Sequence, residues 1–165
     1  MIWDLLIVLA VAVILIIVAR RLPGARTKMA ETHQVTDEEM TLYGLIAQAD
    51  DAFEAKNFEK AESLYVKVAS EDPDNAKIYS RLGAIYLEQK NFYDARDAFL
   101  QAVKLEPELC SRHINLGLAY MGLKDYFKSI ECFQKALTMD RKNKKYKTLL
   151  EKAQKHYQKE KKKNR

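Results

Sequence analysis

A pattern that returns every 34 residues constrains this chain more than any other feature. Between residues 76 and 109, Tyr79, Leu82, Gly83 and Tyr86 fall at i, i+3, i+4 and i+7, one stripe of a helix. Phe92, Ala95, Phe99, Ala102 and Val103 repeat that stripe, which predicts a second helix. Lys90-Asn91 is a short polar turn between the two, and Pro107 cannot continue the second helix. One period later come His113, Leu116, Gly117 and Tyr120, followed by Ser129 and Phe133. One period earlier a weaker copy holds Leu45, Gln48, Ala49 and Ala52, then Ala61, Tyr65 and Pro73. Gly83 and Gly117 remove a side chain where two helices approach, at a propensity cost of ~1 kcal/mol against Ala. Each period is therefore a helical hairpin with an apolar face that only a neighbouring hairpin can cover, and such arrays need about three units to be stable.

These residues at this spacing resemble the tetratricopeptide repeat family over residues 42–143. The resemblance implies an all-α fold, a solenoid of three helical-hairpin repeats at 42–75, 76–109 and 110–143. Gln48 and Ala52 depart from the pattern in the first repeat, as terminal repeats often do because one face meets solvent. Thr36 and Glu39 form a capping box, so the first helix is expected to start near Asp37, making 37–143 the repeat domain. After Asn143 the stripe continues through Tyr146, Leu149, Leu150 and Ala153 without a second helix. Residues 144–165 thus read as a C-terminal capping helix running into a basic tail, with fraying expected from His156 onward.

The N-terminus is of another kind. Residues 5–19 are fifteen apolar residues in a row, and with Ile2, Trp3 and Leu22 a helix there reaches about 33 Å, enough to cross a hydrocarbon core of ~30 Å. No Lys or Arg precedes the run, and no small-x-small cleavage site follows it before Arg20-Arg21-Leu22-Pro23, both of which oppose a cleaved signal peptide. Residues 1–22 are expected to form an N-terminal transmembrane helix and 23–36, opened by Pro23-Gly24, a linker. Arg20, Arg21, Arg26 and Lys28 lie after the span, so the positive-inside rule puts the repeats in the cytoplasm. The expected location is single-pass in a membrane, a bacterial inner membrane in the first instance.

Charge is divided along the chain. The net charge of +5 combines +3 over residues 1–28, −6 over 29–143 and +8 over 144–165. Cys110 and Cys132 fall in the two helices of one hairpin and belong to no C-x-x-C pair; they read as small, half-buried apolar residues in a reducing compartment. His33, His113 and His156 are far apart; His33 reads as a solvated linker residue, and His113 takes an aromatic position of the repeat and is expected to pack there. No Gly-rich phosphate loop, G-x-S-x-G or H-E-x-x-H occurs. No metal, cofactor or catalytic residue is expected, and the chain is not expected to be an enzyme.

Binding remains. In the family the first helices line the concave face. Carried over by register, that face comprises Tyr43, Ile46, Asp50, Phe53 and Glu54, then Lys77, Ser80, Ala84, Leu87 and Glu88, then Ser111, Ile114, Leu118, Met121 and Gly122. Arg81 and Asn115 fall at its edge. The clamp with which one subfamily holds a C-terminal carboxylate is absent, since Ile46 and Asp50 stand for its Lys and Asn, and Ser111 and Asn115 for its Lys and Arg. Ile114 and Leu118 are surplus to their own hairpin and are expected to form, with Leu87 and Met121, the apolar centre of a peptide groove. The expected function is a membrane-anchored adaptor or scaffold that binds a partner protein or peptide segment. Two alternatives stand beside it: a mitochondrial import-receptor-like protein, and a tethered binder of anionic lipid or nucleic acid acting through the Lys-rich tail. Nucleic acid is the less favoured, because Tyr157 stands alone without a stacking platform.

Overall fold

The computed structural model describes residues 37–163, with side chains from Met40. The expected transmembrane helix at 1–22, the linker at 23–36 and the Thr36 cap lie outside the described residues. Those described form seven helices: α1 Asp37–Glu54, α2 Phe58–Glu71, α3 Ala76–Glu88, α4 Phe92–Leu105, α5 Cys110–Gly122, α6 Tyr126–Met139 and α7 Lys144–Lys163. Among them, none is long and apolar enough to cross a membrane.

The turns inside the hairpins are built alike. Lys56, Lys90 and Lys124 take φ of 57°, 59° and 62°, the left-handed conformation that ends a helix, although none is a glycine. The following Asn57, Asn91 and Asp125 then cap the second helices: their side-chain oxygens accept from the backbone N–H of Lys60, Asp94 and Lys128. Between hairpins, the Asn75 and Asn143 amides donate to Asp72 and Asp140 at 2.9 and 3.0 Å.

The core runs through the array as three successive clusters. Ala49, Ala52, Tyr65, Val68, Ile78 and Ile85 fill the first, Phe99, Leu116, Ala119 and Tyr120 the second, and Ile114, Phe133, Ala136 and Ala153 the third. The repeat glycines let the helices meet. A Cβ on Gly83 would lie 2.6 Å from the Phe99 ring, and Gly117 stands against Phe133 in the same way. His113 is buried, and its Nε2 donates to the Pro107 carbonyl at 2.8 Å, so it ties its helix to the preceding turn as well as packing.

Two expectations are corrected. Ile114 is not left in water: it is 5% exposed, within the third cluster, with Tyr146, Leu149 and Leu150 of α7 packed against the same group. Gly122, half-exposed at its groove register, is also a close approach: a Cβ there would meet the Phe92 ring. The tail does not fray at His156. Helix α7 continues to Lys163, the His156 ring stacks on Tyr126 with centroids 5.2 Å apart, and Tyr157 lies 6.3 Å from Phe127. Tyr157 therefore does not stand alone.

Candidate functional site

The first helices α1, α3 and α5, with α7 in the same register, present one row of side chains after another. Tyr43, Lys77, Ser111 and Lys145 follow each other at the 34-residue period, and all four are exposed. The next register behaves differently. Ser80 and Ile114 are buried because the following first helix lies over them, whereas Thr148, with no described helix beyond it, is exposed. Ile46 is half-buried and packs on the first core cluster. Asp50, Ala84 and Leu118 are half-buried and their counterpart Lys152 is exposed; Leu87 and Met121 are half-buried and their counterpart Lys155 is exposed. Asn115 is half-buried beside them.

Polar chemistry concentrates where the first two repeats meet. The Tyr65 hydroxyl, on a ring with no exposed surface, donates to Asp50 Oδ1 at 2.5 Å. Burial, then the hydrogen bond to Asp50, holds that phenol well above the usual tyrosine range. Arg81 Nε lies 3.3 Å from the same oxygen and Lys77 Nζ 3.6 Å from Oδ2. The Arg81 guanidinium also sits 5.2 Å above the centroid of the Phe53 ring, a cation–π distance. Asp50, Lys77 and Arg81 are thus brought together, with Asp50 pinned from below and the two cations held at the surface. Exposed pairs of this kind contribute at most ~1 kcal/mol each, so the cluster fixes geometry more than it stabilises the fold.

A second polar contact removes a residue from the site. Arg112, its side chain only 12% exposed, binds Glu106 Oε2 through Nε and Nη2 at 3.0 and 2.6 Å. Its Nη1 donates to the Ser80 hydroxyl at 2.6 Å. Ser80 is therefore part of the staple between the second and third repeats rather than of an open groove. Cys110 and Cys132 are free thiols, and burial pushes the Cys132 thiol up to about 12, which leaves it protonated and unreactive. Among the described residues no group of three His, Cys, Asp or Glu could hold a metal.

What remains open on this face is Tyr43, Lys77 and Arg81 at one end, Ala84, Leu87, Asn115, Leu118 and Met121 in the middle, and the lysines of α7 at the other end. Lys145, Thr148, Lys152 and Lys155 were missed by the sequence reading. One further step of the 34-residue period from Ser111, Ile114, Leu118 and Met121 finds them.

Two family profiles, both described as tetratricopeptide repeat, match residues 52–113 and 111–143. With the fold described above, they show that the chain belongs to the tetratricopeptide repeat family. No curated protein matches it in sequence. Among solved structures it is similar to the TPR domain of Arabidopsis OM64, at 22% identity and TM-score 0.66, over 71% of this chain and 97% of that one. It is similar to the Sgt2 TPR domain from Aspergillus fumigatus, at 22% identity and TM-score 0.68, over 77% and 83%. It is also similar to the TPR2B domain of yeast Sti1 in its complex with pHsp70, at 20% identity and TM-score 0.65, over 70% and 98%.

Proposed function

We propose that this chain is a non-catalytic adaptor that takes a partner protein or peptide segment onto the face of α3, α5 and α7, and that residues 1–22 hold it to the cytoplasmic side of a bacterial inner membrane. The observation that carries the reading is the division of labour along the registers. One register is consumed by repeat stacking, while Lys77, Ala84, Leu87, Asn115, Leu118 and Met121 stay open or half-open beside it. Repeat stacking does not use the outer edges of Leu118 and Met121, and covering apolar surface gains roughly 25 cal/mol per Å². The yeast Sti1 neighbour, solved with pHsp70, supports a binding role for a fold of this shape. The anchor rests on the apolar run and on the four cations that follow it.

The test is a blocked groove. Ala84→Arg puts a long cation at a half-open position. Partner recovery by affinity purification from the native membrane is expected to fall while helix content and melting temperature hold. Equal recovery from both proteins places the binding surface elsewhere. For the anchor, a reporter that works only in the cytoplasm, fused after Arg165, is expected to be active, with the chain retained in membranes at alkaline pH.

A second reading has one observation in its favour: α7 carries nine lysines, and among the described residues none of them is ion-paired. An anionic lipid surface fits that helix, by way of its far end at Lys159 and Lys161 to Lys163. Reversing those four charges, away from the groove registers, separates lipid contact from partner capture.

A further inference from the structure

The open face is polarised in charge. At its first end the charges balance: Lys77 and Arg81 pair with Asp50, itself held by Tyr65, and the exposed Glu54 stands beside them. At its last end stand Lys145, Lys152 and Lys155, all exposed, and among the described residues none is ion-paired. These three lysines occupy the registers that Ser111, Leu118 and Met121 occupy one period earlier. Gln154 and Gln158 line a hollow with Phe127, Ile130 and Gln134 of α6, so Lys145 and Lys152, which helix geometry puts well round α7 from them, are on the side away from α6, and Lys155 faces solvent between the two edges. Leu118 and Met121 pack on the cluster that α7 closes, so the apolar strip and the lysine row occupy the same registers on successive first helices.

Resting on the groove reading above, we propose that the occupant is a segment with an apolar part followed by an acidic cluster, held in one polarity. Its apolar side chains cover Leu118 and Met121, and its carboxylates meet Lys145, Lys152 and Lys155. The row spans ten residues of helix, about 15 Å at 1.5 Å rise, so it meets several carboxylates rather than one. At the far end Lys77 and Arg81 are already paired with Asp50 and Glu54 stands beside them, so that end attracts an acidic cluster less than the three lysines do, which favours one placement over the reverse. A terminal carboxylate is not needed, because the cations are spread along a helix and do not converge on one point.

The experiment uses the full chain in phosphatidylcholine nanodiscs, with empty discs as the blank. The probe is a fluorescent peptide, capped at both ends, with one half Leu and Ala and the other half Glu. Fluorescence anisotropy is expected to show binding above the blank, and none for the peptide whose Glu half is replaced by Lys. The triple variant Lys145→Glu, Lys152→Glu, Lys155→Glu changes only exposed residues; it is expected to bind at least about tenfold more weakly, the sum of three exposed pairs. Raising ionic strength toward ~1 M is expected to weaken the parent's binding in the same sense, as the Debye length shrinks to ~3 Å. Equal binding of the Lys peptide, no loss in the triple variant, or no binding above empty discs overturns the proposal. So does displacement of the peptide by phosphatidylglycerol vesicles or by oligo-uridine with no response to Ala84→Arg, since the lysines then serve a membrane or RNA instead. Loss of binding in Ala84→Arg with none in the triple variant keeps the groove and rejects its acidic occupant. Loss in the triple variant with none in Ala84→Arg overturns the groove reading, and this proposal with it.

Discussion

Ile114 and Thr148 hold the same register one period apart, and they differ in what lies over them. Ile114 is in the third core cluster with Phe133, Ala136 and Ala153, under the cover of α7, whereas Thr148 is on the outer surface of α7 itself. Ile114→Ala removes three buried carbons. At about 0.8 kcal/mol per buried methylene that is about 2.4 kcal/mol, and the cavity left behind adds to it. The expected loss is therefore about 3 kcal/mol. For a domain of this size, a few degrees per kcal/mol gives a fall of about 10 °C in melting temperature. Thr148→Ala removes a hydroxyl that donates to the Lys144 carbonyl within its own turn, at 3.0 Å, and is expected to change stability by no more than about 0.5 kcal/mol. The assay is urea unfolding followed by circular dichroism on residues 30–165, with parent and both variants side by side. A loss below about 1 kcal/mol for Ile114→Ala would mean that α7 does not cover this register, and the account of which residues are open would fail with it.

Gly83→Ala gains ~1 kcal/mol of helix propensity, but its Cβ would sit 2.6 Å from the fully buried Phe99 ring; with overpacking at ~1–3 kcal/mol, a net loss is expected in thermal unfolding, and a net gain would refute the close approach. Lys124→Gly relieves a left-handed residue at φ 62° and is expected to raise the melting temperature by a few degrees, from a gain of about 0.5–1 kcal/mol; a fall would show that Lys124 has a role beyond its backbone. Tyr86 donates to Glu62 at 3.1 Å, and burial first, then that bond, pushes its phenol up from 10.0 to about 12. Because the folded value is the higher, the stabilisation is complete below pH 10 and is lost as pH rises through about 12. Tyr86→Phe is therefore expected to be the less stable protein at neutral pH, with the difference shrinking across that window; a pH-independent difference would refute the assignment.

The repeat was legible because its signal is local. A Gly paired with a Phe sixteen residues on, the polar turn at Lys90-Asn91 and the stop at Pro107 each act within one hairpin. The site was less legible because its exposure is set between repeats. Nothing in the sequence around Ile114 says that α7 will lie over it, and nothing around Ser80 announces Arg112, thirty-two residues on, as its partner. The continuation of α7 past His156 was hidden for the same reason. Its composition there is polar, and only the aromatic contacts to Tyr126 and Phe127 show that the helix is still held to α6. The lysine row lies open to the same period that reveals the repeats, one step of 34 residues beyond Ser111, Leu118 and Met121.

The most direct measurement is site-specific photocrosslinking in the native membrane. A photoreactive residue at Asn115, in the middle of the proposed groove, is compared with one at Leu100, an exposed position on the second helix of its hairpin. The account predicts one discrete adduct from Asn115, lost on adding Ala84→Arg, and no such adduct from Leu100. The same adduct from Leu100, or an Asn115 adduct indifferent to Ala84→Arg, would contradict it.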